Sequence, residues 1–146
     1  MIARRAALPV LLMASSARAQ QHAMDVVRGD PDRRLLLDAI RPTLARLTDG
    51  PVHFGVSELR RFGDFAFGVL QPRRPERQPI EWSETRYRDR LRDPDFRNGI
   101  TFVLWRRLAG GWKVEDYALG AADSVWMGWR GRHGLPQALF EWEATP

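Results

Sequence analysis

The side chains best suited to moving protons in this 146-residue chain are three histidines and a few carboxylates. His22, His53 and His133 are far apart in sequence, and only His53 falls in a segment with strand character. No serine or carboxylate near it makes a triad pattern, so His53 reads first as structural and second as a catalytic candidate. Glu115 and Asp116 are neighbours on an expected strand, where successive side chains point to opposite faces, so they are not expected to form a dyad. Counted by twos, Asp116 shares a face with Trp112, Val114 and Ala118. A carboxylate in that setting either pairs with an arginine such as Arg60, Arg61 or Arg106, or is held as a general base at the mouth of a pocket. The ion pair is the expectation. Cysteine is absent, which excludes a cysteine nucleophile and a thiolate metal site. No cluster has ligand spacing, and neither metal nor cofactor is expected.

The aromatic content offers binding chemistry instead. Trp82, Trp105, Trp112, Trp126, Trp129 and Trp142 supply large apolar anchors that are also flat stacking surfaces. Core bulk in a chain without disulfides is the first reading, and Trp112, Trp126 and Trp129 fall in elements expected to pack together. Trp82 stands beside a polar loop and close to Tyr87, and is the ring expected to be exposed. With Arg86 or Arg88 it would stack on an envelope glycan or engage a protein partner. Trp105 completes the set of candidate binding residues.

These groups must be positioned by one domain. Arg4 and Arg5, the apolar run from Ala6 to Ala14 and the small residues Ala17 and Ala19 have the order of a secretory signal peptide over residues 1–19. Cleavage is expected before Gln20, leaving 20–146 as a single exported, periplasmic domain with no membrane segment. The general route is preferred to twin-arginine export because the residues around Arg4-Arg5 match that signal poorly. With no cysteine at the cleavage site, a lipid anchor is excluded. The chain's +5 charge loses Arg4, Arg5 and Arg18 with the leader and no acid, leaving +2. Lys113 is the only lysine, but acids are interspersed with the arginines throughout, so nucleic acid is not an expected partner.

Asp30-Pro31-Asp32 has the form of a helix start, and Leu36, Ile40, Leu44 and Leu47 follow as one apolar stripe. Pro42 within it predicts a kink near Ala39 or a break into two helices. Segments 52–61 and 64–71 read as a hairpin turning at Phe62-Gly63. The bulky face of the second strand, Phe65, Phe67 and Val69, is expected to meet the helix. A polar insertion follows near 72–98, with an exposed proline-rich loop and a short helix from Ser83 to Arg92, capped by Ser83 and stopped by Asp93-Pro94. Segments 100–108 and 112–119 form the clearest hairpin, joined through Ala109-Gly110-Gly111 and apolar on both faces, as a central pair would be. Asp123-Ser124 caps a last short helix, Leu135, Leu139 and Phe140 pack back on the body, and 141–146 is a loose tail. The fold class is therefore α+β: a twisted antiparallel sheet of about four strands on a kinked N-terminal helix, with a short C-terminal helix.

The runs Gly63-Asp64-Phe65-Ala66-Phe67 and Gly110-Gly111-Trp112-Lys113-Val114-Glu115-Asp116-Tyr117, with Asp123 and Trp126-x-x-Trp129 beyond them, resemble a group of small exported bacterial proteins without assigned activity. The resemblance spans Val26 to Phe140. The architecture also looks like the cystatin-like and NTF2-like folds, in which a helix lies in the curve of a sheet. A likeness of fold transfers no function. The leading expectation is a non-enzymatic binding or interaction domain using one sheet face or the insertion. The alternatives are a small NTF2-like enzyme built around Asp116, and an inhibitor or immunity protein against an envelope enzyme.

Overall fold

The computed structural model describes residues 22–140 except 123, and only the backbone of Ser124. The expected leader, its cleavage point, the Asp123-Ser124 cap, Trp142 and the tail 141–146 lie outside the described residues and side chains.

Helix α1 spans Pro31–Leu47. Asp30 keeps extended backbone and accepts the Asp32 N–H at 3.0 Å, while Pro31 occupies the first turn, where its missing donor costs nothing. The helix runs unbroken through Pro42, so the expected split does not occur. Proline removes one backbone hydrogen bond. The stripe Leu36, Ile40 and Leu44, fully buried on both sides of it, holds the two halves on the same sheet.

The sheet is an antiparallel meander of five strands in sequence order: β1 (Met24–Asp25), β2 (His53–Phe62), β3 (Phe65–Arg73), β4 (Thr101–Leu108) and β5 (Gly111–Leu119). The strand beyond the expected four is β1, whose two residues pair with Arg61 and Arg60 and are too few to carry a periodicity. Both hairpins form where alternation and turn glycines place them. Of the expected central pair, β4 is interior but β5 is an edge. Thr101 through Trp105 are all buried because helices cover both faces: α1 on one, α2 (Ser124–His133) and the segment after it on the other.

The bulky face of β3 does not meet α1. Ala66, Gly68 and Leu70 turn toward α1, whereas Phe67 belongs to a second core with Phe102, Leu104, Trp129, Leu139 and Phe140. Trp105 explains the inversion. Its fully buried ring fills the α1 side over Gly68, where a Cβ would come within 2.9 Å of two ring carbons. The narrow face of β3 therefore belongs under the indole, and Phe67 packs edge-on to Phe140 at 4.8 Å in the other layer. The three tryptophans expected to cluster divide accordingly. Trp112 packs in the α1 layer beneath the Arg107 guanidinium, 4.5 Å away, and Trp126 and Trp129 pack in the second.

The insertion forms no α-helix. It is a chain of 3-10 turns at Pro75–Arg77, Trp82–Glu84, Arg88–Arg90 and Pro94–Gly99. Ser83 does not cap: its hydroxyl donates to Glu81 at 2.6 Å. Asp93 begins the last turn rather than ending a helix, accepting the Asp95 N–H at 2.9 Å. Trp82 is buried, 6% exposed, and stands edge-on to Phe96 at 5.1 Å and Tyr87 at 5.9 Å. The α1 layer thus extends beneath the insertion. No described helix is long and apolar enough to cross a membrane.

Candidate functional site

A β-bulge decides where Asp116 points. Leu104 pairs with Asp116 and the next residue, Trp105, pairs with Val114, so Glu115 is the extra residue on β5. Alternation reverses across it. Trp112 and Val114 face α1, while Asp116 and Ala118 face α2. The expected shared face of Asp116 with Trp112 and Val114 is thereby corrected.

Its partners change with its face. Asp116 accepts from Arg132 at 3.2 Å and lies 3.3 Å from Nε2 of His133, the last residue of α2, while its other oxygen accepts the Tyr117 N–H at 2.9 Å. Glu115 stands 3.7 Å from Nδ1 of the same imidazole, so the two carboxylates converge on one ring instead of pointing apart. None of Arg60, Arg61 and Arg106 is the partner. Arg61 binds Asp30 at 2.5 Å and Asp32 at 3.1 Å, Arg60 lies 3.2 Å from Asp25, and Arg106 stands over the Phe65 ring. A carboxylate holding an imidazole can orient it for proton transfer. No hydroxyl is hydrogen-bonded to His133 among the described residues, and no described group of His, Asp and Glu is arranged to hold a metal. The cluster fastens the end of α2 to the edge strand.

The second ion network lies at the start of α1, where Asp32 also takes Arg107 at 3.0 Å. The Asp32 N–H, with help from Arg61 and against partial burial, holds the Asp30 carboxyl below its ordinary value of 3.8.

His53 is exposed at the start of β2, beside an open depression of about 570 Å³ that includes Leu37 and Arg41 of α1. It is three strands away from Asp116, and the two do not form one site. Trp105 is sealed in the core, its indole N–H without a hydrogen-bond partner among the described residues. Tyr87 is half-buried, and that burial pushes its hydroxyl above the ordinary value of 10.0 while Arg86 pulls the other way. Arg86 reaches back to the end of α1, donating to the Arg46 carbonyl at 3.2 Å. Arg88 is exposed. With Trp82 buried, the expected stacking surface of Trp82, Arg86 and Arg88 is not assembled.

Comparison with protein families, curated proteins and solved structures finds no match for this chain.

A different opening is built where the insertion leaves the sheet. β4 pairs with β3 only as far as Leu70, so Gln71, Pro72 and Arg73 extend past their neighbour. Proline is tolerated there because that side of the strand has no β4 partner for it to serve. The gap is an open depression of about 430 Å³, closed by Arg77, Pro79, Ile80 and Asn98 of the insertion and the edge of Trp82. Gln71 steadies it by donating to the Asn98 carbonyl at 2.7 Å. The sequence signal for this site was the proline- and arginine-rich run itself, which reads as a loop until β3 is seen to outrun β4.

Proposed function

We propose that this protein is an exported periplasmic binding domain without catalytic activity, engaging its ligand on the insertion side of the sheet. The observation that carries the reading is that both sheet faces are closed by packed aromatic cores, while a polar-lined depression opens beyond the start of β4, where β3 outruns it. The commitment of Asp116 to Arg132 and His133 supports a fastening role in place of general-base catalysis. A helix lying across one face of a meander sheet supports a cystatin-like architecture. The filled face beneath α1 speaks against the NTF2-like alternative, which needs a pocket there.

The test is to incubate the mature protein with a periplasmic extract and follow bound and free small molecules by mass spectrometry. A compound retained by the protein and released on Arg73→Ala or Arg77→Ala supports binding. A compound consumed over time, with consumption abolished by Asp116→Asn, would overturn it in favour of an enzyme.

A further inference from the structure

The depression at the end of β3 carries a charge pattern that specifies its ligand. Arg73 and Arg77 both line it, and neither makes an ion pair or side-chain hydrogen bond among the described residues. Among the described residues that line the space none is acidic. Elsewhere the arginines are largely occupied: Arg41, Arg60, Arg61, Arg90, Arg107 and Arg132 all meet carboxylates. Two arginines without such a partner in the lining of one depression are therefore a local exception.

Arg73 is given room by a glycine on the neighbouring strand, two residues beyond its own register partner His53. Gly55 lies opposite Gln71 in the register, and a Cβ there would meet the guanidinium carbon and Nη2 of Arg73 at 3.3 Å. The absence of a side chain lets the guanidinium lie close over the β2 backbone. The part of the lining that comes from the insertion is held in a conformation that chains usually avoid. Arg77 and Asn98, which both line the space, have φ values of 62° and 56°, and their neighbours Glu76 and Arg97 have 60° and 42°. Four non-glycine residues in the left-handed region thus flank one opening, where such outliers are a pointer to function.

We infer that this depression binds a small organic anion, its carboxylate or phosphate held between Arg73 and Arg77, with the Gln71 and Asn98 side of the wall polar and Pro79 and Ile80 apolar. The inference rests on the binding reading above and names the ligand class for it. The guanidinium fork matches carboxylate and phosphate oxygens two at a time, and the volume suits a single sugar ring or a compound of similar size.

The experiment is calorimetric titration of the mature protein with galacturonate, glycerol phosphate and, as the uncharged comparison, galactose. Galacturonate or glycerol phosphate should bind more tightly than galactose by about tenfold or more, and whichever binds better identifies the carboxylate or the phosphate source. Arg73→Gln and Arg77→Gln should each weaken that binding by about tenfold, with circular dichroism and melting temperature unchanged, while Arg132→Gln leaves it intact. Equal affinity for galactose and galacturonate, or unchanged affinity in both pocket variants, would overturn the inference. A neutral compound retained from the extract would sink the anion assignment and leave the binding reading standing, so the two failures are distinguishable.

Discussion

Replacing Gly68 by alanine tests the arrangement of the two cores. In an open strand position the change should stabilise by about 0.4–1 kcal/mol, because alanine has fewer unfolded conformations to lose. At Gly68 the new methyl would sit 2.9 Å from two carbons of the Trp105 ring and 3.1 Å from Leu59 Cδ1. Trp105 is fully buried and Leu59 nearly so, and neither has an open side to retreat into. Overpacking of this kind costs about 1–3 kcal/mol, which outweighs the gain and leaves a net loss on the order of 1–2 kcal/mol. Urea denaturation read by circular dichroism measures it, and the melting temperature should fall by about 4 °C per kcal/mol. Trp105→Phe removes the ring carbons that the methyl meets. In that background the same alanine should be neutral or stabilising, giving a coupling of about 1 kcal/mol or more. Gly128→Ala in α2, where nothing lies within 4 Å, is the control and should stabilise by about 0.5–1 kcal/mol. A Gly68→Ala protein more stable than the parent, or equally destabilised with and without the Trp105 indole, would refute the placement of Trp105 over the narrow face of β3.

Leu36→Ala and Ile40→Ala, both at fully buried positions, should each cost about 2–5 kcal/mol in the same denaturation assay, and losses under about half a kcal/mol would mean that α1 does not cover the sheet. Asp116→Asn should cost only about 1 kcal/mol, less than the several expected of a fully buried pair, because Arg132 is 66% exposed and solvent screens it. The pH dependence has a definite sign: Asp30 has a lowered value in the folded protein, so its contribution is present above the ordinary 3.8 and is lost as pH falls through the folded value. Asp30→Asn should flatten that part of an acid denaturation curve. N-terminal mass spectrometry of protein recovered from the periplasmic fraction should find a chain beginning at Gln20, and an intact Met1 on that fraction would exclude the proposed leader.

Much of the architecture was legible because it rests on local signals. The cap at Asp30 with the stripe behind it places α1, and alternation ending at turn glycines places both hairpins. Which helix covers which face was not legible, since β3 and β4 are apolar on both sides and periodicity distinguishes two faces without saying what lies against them. The bulge at Glu115 left no mark either. A bulge of this type demands no special residue, so counting by twos from Trp112 puts Asp116 on the wrong face. The burial of Trp82 is hidden in the sequence for a related reason. In 3-10 turns no sustained repeat marks the inward side, and a tryptophan among charges reads as exposed until Phe96 and Tyr87 close around it. The pair Arg73 and Arg77 was hidden because the site depends on where one strand outruns the next.

The meander order of the sheet also bears on how quickly the chain finds its fold. Each strand from β2 to β5 pairs with its immediate predecessor or successor in sequence, and both hairpins close through tight turns. Local closures of this kind form on a timescale of about 1–10 μs, and a low mean sequence separation of contacts favours fast folding. The slow step should be the joining of β3 to β4, since Leu70 must find Thr101 across the whole insertion before the central sheet exists. The 3-10 turns that build the depression can be fixed only after that joining, which makes the insertion the last part of the molecule to take shape.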